Sequence, residues 1–299
     1  MHKSFLSPID DYSGLPFRLL CQRYGAEAAC VPLVNSAAIA RDPARVSLVD
    51  AHPDEKNIGV QLVGNEPEQI GIAAGRIDEA FPFISWYNIN CGCPSARTMG
   101  CGGGSAMLAF PQKIADAVSG MRRAVDKPVS VKIRIRNNLE DTAALCRMLE
   151  KAGADFLIIH GRTAAMGYSG KSDWELIRAL KGKLEVPLVG NGDIVSLAQA
   201  ERLTREGYCD AFMIARSAMG NPMVFSGRSP DGLGGRMALL AEYAALHRRY
   251  LGEPSMKDLK MKAVNMISGA PNAAALRNSV CRAASAEEIL SLSGAQSCP

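Results

Sequence analysis

Short runs of apolar and β-branched residues recur along the first three quarters of the chain, separated by stretches whose apolar positions repeat at helical spacing. The runs cover residues 4–9, 27–34, 58–63, 84–90, 129–135, 156–160, 186–191 and 211–216, and each predicts a buried strand. Between them, residues 15–24, 67–80, 112–125, 140–152, 172–180 and 196–206 predict amphipathic helices, with a fainter pattern over 36–49. Eight strands alternating with helices predict an α/β fold, a (β/α)8 TIM barrel, with an open doubly wound sheet as the competitor. No GxGxxG follows the first strand, which weighs against the open sheet.

The Gly-rich segment 226–236 (SGRSPDGLGGR) reads as a linker. Beyond it, residues 237–251, 257–267, 273–284 and 286–292 carry helical periodicity and predict a small all-helical module. The expected organisation is therefore a barrel domain over 1–225, a linker over 226–236 and a helical domain over 237–299.

Alternation within the strands indicates where polar side chains point. In 129–135 the β-branched residues take one face, and Ser130, Lys132 and Arg134 take the other. Both faces of a barrel strand are buried, so two cations entering the interior are costly without an anionic or strongly polar partner. An internal salt bridge is one such partner. A bound anionic cofactor near the barrel mouth is the other, and it accounts better for Lys132. Gln61 shares a face with Gly59 and Val63, Asn88 shares one with Asn90, and His160 and Asn191 end their strands. Any one polar strand end is ordinary structure, but several on one mouth mark the place where barrel enzymes keep their chemistry.

The loops after strands seven and eight add glycines and a cation: Gly190-Asn191-Gly192-Asp193, and Ala215-Arg216 leading to Gly220. Loops at those positions commonly bind phosphate through backbone N–H groups, and Arg216 can add a bidentate contact. Phosphate at one end, with Gln61, Lys132 and His160 suited to the oxygens and nitrogens of an isoalloxazine, points to FMN. The segment Asn90-Cys91-Gly92-Cys93-Pro94 places Cys93 in a kinked turn directly after an apolar strand, where a thiol can meet a bound substrate.

The order of QLVGNEPE, NINCGCP, VKIRIR, IIHGRT, GNGDI and MIARSAMGNP, over nearly the whole chain, resembles the tRNA-dihydrouridine synthases, FMN enzymes that reduce specific uridines in tRNA. The resemblance implies that Cys93 is the general acid and that Asn90 contacts the target uracil. It places FMN contacts on Ser7, Pro8, Ile9, Gln61, Lys132, His160, Asn191, Gly192, Asp193, Ala215 and Arg216, and assigns tRNA binding to the C-terminal helices. Arg134, beside Lys132, joins Asn90 among the expected substrate contacts. The chain departs from the family pattern in three places. Ser7-Pro8-Ile9 stands where Ala-Pro-Met is usual, and Ala215-Arg216 where Gly-Arg is usual; backbone amides survive both changes. Lys260, Met261, Lys262 and Asn265 stand where an Arg-Lys-His cluster followed by aromatics is frequent, which alters the expected mode of RNA contact.

The implied reaction has two halves. NADPH, or NADH, delivers electrons to FMN and leaves; hydride then reaches uracil C6 while Cys93 protonates C5. A thiol with an ordinary pKa of about 8.5 is largely protonated at neutral pH and can serve. Nucleophilic attack by the thiolate is the rival role, disfavoured because hydride already satisfies C6.

Composition narrows the remaining choices. No apolar run approaches the roughly 18 residues needed to span a bilayer, and no signal-peptide profile opens the chain, so a cytoplasmic protein without a membrane partner is expected. Nine cysteines, an odd number without small-domain spacing, argue against a disulfide framework. Cys91, Cys93 and Cys101 lack the second close pair of a four-ligand site, so no metal is expected. Cys21, Cys30, Cys146 and Cys209 read as packing residues. The net charge of +4 is uneven: from Ser226 onward nine Lys/Arg stand against six Asp/Glu. That is either a solvated helical face or a footprint for a polyanion. With tRNA as the implied partner, Lys257, Lys260, Lys262, Arg277 and Arg282 become the expected phosphate contacts, and binding should depend strongly on salt. The expected partner is tRNA rather than DNA, with the chain acting as a monomer. Two alternatives stand beside this one. A flavin barrel reducing a free pyrimidine, as in dihydroorotate-type enzymes, would not need a basic helical module. A flavin-free RNA-binding barrel would not need Lys132, His160 and Cys93.

Overall fold

The structure, a computed structural model, describes residues 3–294. Among them, eight parallel strands, β1 (Ser4–Leu6), β2 (Ala29–Asn35), β3 (Ile58–Val63), β4 (Trp86–Cys91), β5 (Val129–Arg134), β6 (Phe156–His160), β7 (Leu188–Asn191) and β8 (Ala211–Ile214), pair in the order β1-β8-β7-β6-β5-β4-β3-β2. A parallel bridge between Phe5 and Ala28, with Leu6 N–H donating to Ala28 O at 2.9 Å, brings β1 and β2 together and nearly closes the ring. The TIM-barrel expectation holds and the open sheet does not. Residues 7–9 and 215–216, assigned to strands from hydropathy, lie beyond the ends of β1 and β8 and form the mouth.

Around the barrel lie α1 (Leu15–Arg23), α2 (Ser36–Arg41), α3 (Pro67–Ala80), α4 (Ala96–Gly100), α5 (Pro111–Ala124), α6 (Leu139–Lys151), α7 (Trp174–Lys181), α8 (Leu197–Arg205) and α9 (Arg216–Gly220). The faint helix expected over 36–49 is α2 followed by a 3-10 turn, Pro43–Leu48. Pro43 lacks the N–H that would continue α2, and its ring excludes helical backbone before it. No helix among the described residues is long and apolar enough to cross a membrane.

Strand alternation sorts the core into two clusters. Val60, Leu62, Ile89, Val131, Ile133 and Ile159 pack outward against the helices. Inside the barrel, Phe5, Trp86 and Phe156 meet with ring centroids 5.5–6.1 Å apart and fill its amino-terminal end. Gly59 makes room for Trp86: a Cβ at Gly59 would stand 2.3 Å from the indole. Further along the same strands the inward positions turn polar. Register sets Gln61 opposite Asn88, Asn88 opposite Ser130, Asn90 opposite Lys132, and His160 between Arg134 and Asn191.

The C-terminal region forms α10 (Gly232–Leu251), α11 (Met256–Met266), α12 (Ala273–Arg282) and α13 (Ala286–Leu290). The linker expected over 226–236 is therefore shorter, because α10 starts at Gly232. Glycine there serves close packing: a Cβ on Gly235 would come within 3.2 Å of Pro230. Helix α10 packs on α1 and α11 on α9, and Leu239, Leu240, Leu259 and Met266 belong to the same apolar cluster as the barrel's helical layer. Residues 295–299 of the expected helical domain lie outside the described residues.

The tight floor yields a prediction. Gly59→Ala should destabilise the chain by about 1–3 kcal/mol, the usual cost of overpacking, seen as a lower denaturation midpoint. On a Trp86→Leu background the same change should cost less. A single variant as stable as the wild type would show that the floor has slack.

Candidate active site

The carboxyl ends of the strands open into a cavity of about 730 Å³, within the range usual for cofactor and substrate sites. Its lining brings together the barrel residues singled out from the sequence: Ser7, Pro8, Ile9, Gln61, Asn90, Cys93, Lys132, Arg134, His160, Asn191, Gly192, Asp193, Ala215 and Arg216. What each side chain is free to do differs sharply.

A continuous hydrogen-bond chain crosses three strands. Ser130 Oγ donates to Tyr87 O and accepts from Asn88 Nδ2 at 2.8 Å; Asn88 Oδ1 accepts from Gln61 Nε2 at 2.8 Å; Gln61 Oε1 accepts from Asn90 Nδ2 at 2.7 Å. Asn90 Oδ1 then accepts from the backbone N–H groups of Gly92 and Cys93, at 3.1 and 3.0 Å. The amide orientations are thus mutually fixed. Asn90 is first the holder of the Cys93 turn, with one Nδ2 hydrogen left for a ligand. Cys93 is half-buried and its Sγ lies 3.4 Å from Ser95 Oγ. Cys91 points the other way into the helical layer, and all eight described cysteines are free. Cys21, Cys30, Cys146 and Cys209 are buried, as expected of packing residues.

Lys132 enters the cavity without a counter-ion. Among the described residues, its Nζ takes part in no hydrogen bond or salt bridge. Burial, with the Arg134 charge assisting, pulls its pKa from the ordinary lysine range down to about 8. The internal salt bridge considered for Lys132 is absent among these residues. His160 is driven further: burial first, then Lys132, Arg134, Arg162 and Arg216, hold its pKa at about 2, so the ring is neutral at any working pH. Arg162 Nη1 approaches His160 Nε2 at 3.4 Å. Because arginine can only donate, Nε2 accepts and the ring proton sits on Nδ1.

The structure narrows two expectations, at Arg134 and at 7–9, and overturns a third, at Lys262. Arg134, expected on the substrate, is 2% exposed and donates from Nε to Gly92 O and from Nη1 to Thr163 O and Gly167 O. It staples the Cys93 turn to the loop after β6, leaving only Nη2 uncommitted. The backbone amides expected to contact a cofactor at 7–9 are taken: Ser7 N–H donates to Ile214 O, Ile9 N–H donates to Ser13 Oγ, and Pro8 has none. Lys262, expected on RNA phosphate, is 2% exposed, its Nζ donating to Tyr12 O and Asp258 Oδ1. Of the other C-terminal cations, Lys257, Arg277 and Arg282 are exposed, while Lys260 donates to Cys281 O.

Two residues of the site were missed. Arg162 is 2% exposed and grips Asp193 with both carboxylate oxygens, at 2.7 and 2.8 Å. Asp193 also accepts from Arg216 and from Ser172 N–H. Burial would raise its pKa, but these donors prevail and hold it below the ordinary carboxylate range. Asp193 thus orients Arg216 rather than standing free. Only glycine fits at 192, where φ is +126° and a Cβ would fall 2.1 Å from Ser172 Oγ. Tyr168, 66% exposed at the rim, lies 5.9 Å from the Arg134 guanidinium and 5.6 Å from that of Arg216. The Arg after His160-Gly161 was a sequence signal for Arg162; nothing in local pattern marked Tyr168.

Comparison with known proteins adds an independent line. A family model described as dihydrouridine synthase (Dus) matches residues 5–296. A probable tRNA-dihydrouridine synthase of Aquifex aeolicus (strain VF5) is 30% identical over 294 residues, covering 95% of this chain and 93% of that protein. The tRNA-dihydrouridine synthase B of Xanthomonas campestris is 34% identical over 232 residues, covering 75% and 68%. Among solved structures, histamine dehydrogenase from Rhizobium sp. 4-9 matches with a TM-score of 0.57 at 12% identity, over 87% of this chain. This chain spans 50% of that longer protein, and the likeness is one of fold.

The electrostatics of His160 can be checked directly. In 15N-edited NMR of the imidazole, its ring should show no titration between pH 5 and 8, with Nε2 unprotonated throughout. Arg162→Met should release the tautomer and admit a titration at higher pH than in the wild type. A wild-type midpoint near pH 6 would contradict the geometry.

Proposed function

The chain belongs to the dihydrouridine synthase family, and from that premise we propose that it reduces particular uridines of tRNA to 5,6-dihydrouridine, with FMN as resident cofactor and NADPH or NADH as electron source. One observation carries the proposal: Lys132, a cation with no anionic partner among the described residues, lines the same cavity as Cys93, a thiol held at the mouth by Asn90.

The residues present fit FMN. Lys132 brings three donors to an electron-rich ring edge that its charge would stabilise. His160, neutral and protonated on Nδ1, can give one hydrogen bond without adding charge. Arg216, steadied by Asp193, suits the phosphate together with the glycine loop at 190–193. Ser7, Pro8 and Ile9, their amides occupied, contribute side-chain and carbonyl surface. When bound, FMN supplies hydride to C6 of the uracil.

Protein groups manage the substrate. The remaining Nδ2 hydrogen of Asn90 and Nη2 of Arg134 suffice for the carbonyl oxygens of one uracil. Cys93 donates its proton to C5, a general-acid step whose geometry is set by the turn. The target base must leave its stack in the RNA, at a cost of a few kcal/mol by analogy with base flipping. Exposed Lys257, Arg277 and Arg282 supply phosphate contacts that offset this cost, with little readout of sequence.

Cys93→Ala should still bind FMN and accept electrons from NADPH, but form little dihydrouridine in tRNA, measured by mass spectrometry of the digested RNA. Full product formation would remove Cys93 from the mechanism. Oxidation of the reduced enzyme by free uracil as fast as by tRNA would overturn the assignment of the substrate.

A second outcome follows from the Lys132 pKa of about 8. The protonated form favours the anionic ligand, so FMN affinity should be level below that pH and fall as pH rises through it, by up to about tenfold per unit. Lys132→Met should bind weakly and lose this pH dependence in a fluorescence titration. Equal affinity at pH 7 and pH 9.5 in the wild type would exclude the contact.

A further inference from the structure

Lys262 is a charged side chain that neither the barrel chemistry nor RNA binding uses. It sits on α11 where the C-terminal helices meet the barrel mouth. Its ammonium donates to the backbone oxygen of Tyr12 at 2.7 Å and lies 3.8 Å from the centroid of the Tyr12 ring. Asp258, one helical turn earlier, balances the charge at 3.2 Å, and Tyr243 of α10 donates its hydroxyl to the same carboxylate.

Tyr12 is the piece being held, and it touches two walls of the cavity. Its N–H donates to Ile9 O, in the turn that follows β1, and Ile9 and Asp10 of that turn line the cavity. Its hydroxyl donates to Met219 O at 2.9 Å, in α9, and Met219 lines the cavity from the side of Arg216. Exchanging a buried ion pair for apolar groups of similar size is often neutral for stability. Docking of α11 alone therefore gives no reason for a charge at this place, whereas gripping a carbonyl and an aromatic face together requires one.

We propose that Lys262 is a positioning residue for the cofactor site: it clamps Tyr12 so that the turn after β1 and helix α9 keep a fixed separation, tying the shape of the cavity to the seating of the C-terminal helices. The proposal rests on the reading that this cavity holds FMN. It gives the helical region a part in cofactor binding besides any contact with RNA.

The test uses the full chain and FMN fluorescence titration below the unfolding range. Lys262→Met keeps length and packing but loses the donors, and should weaken FMN binding about tenfold, as expected for one hydrogen bond from a charged group. Tyr12→Phe, which loses only the bond to Met219 O, should weaken it about threefold, and the double variant should be no worse than Lys262→Met, because both act through Tyr12. In the flavin-free protein, Lys262→Met should speed hydrogen exchange at the amides of residues 9–13 and 216–220. Wild-type affinity and exchange in Lys262→Met, with only a lower melting temperature, would overturn the proposal and leave Lys262 a packing residue. Should Lys262→Met fail to fold, unchanged affinity in Tyr12→Phe would overturn it. A wild-type chain that took up no FMN would bring down the functional reading and the cofactor role of Lys262 with it.

Discussion

One carboxamide oxygen, Asn90 Oδ1, shapes the reactive turn by accepting from two consecutive backbone N–H groups. One hydrogen of the same carboxamide's nitrogen goes to Gln61, Gln61 donates to Asn88, and Asn88 donates to Ser130. Each link is buried, so each polar atom must find its partner inside the barrel or cost about 1–3 kcal/mol. A satisfied chain of this kind is stiff, because no member can rotate without orphaning the next. The thiol is placed by this chain from within, and by Arg134 from the side through Gly92 O.

The charges of the mouth are lopsided for a reason the same geometry supplies. Arg162 and Arg216 share Asp193, Arg134 is absorbed by three backbone oxygens, and Lys132 remains. Burial first, and then these four cations, suppress protonation of His160; burial, with Arg134 assisting, weakens that of Lys132. The mouth is thus net positive among the described residues, with Asp193 shared between two of its guanidinium groups.

How much of this was legible from residues alone follows the range of the forces involved. β3, β5 and β6 were readable because β-branched runs and strict alternation agree there, and alternation also told which way Gln61, Lys132 and His160 point. Strand ends were less so: hydropathy does not see that residues 7–9 and 215–216 run past the last paired residues, Leu6 and Ile214. Arg162 escaped because alternation stops where β6 stops. Lys262 could not be separated from its exposed neighbours by counting charge, since its burial is decided by Tyr12, 250 positions away. Gly232, Gly234 and Gly235 looked like a flexible tether, yet they lie in the first turn of α10, where Gly235 passes close to Pro230.

Trp86, Phe5 and Phe156 stop the barrel at its lower end. A dead-end shaft has one doorway, so bulky visitors must take turns in it. Two ligands that each fill the opening exclude one another, and abundance of either one would obstruct the other. Traffic through such a pore is serial by construction, whatever the intrinsic speed of the chemistry at its bottom.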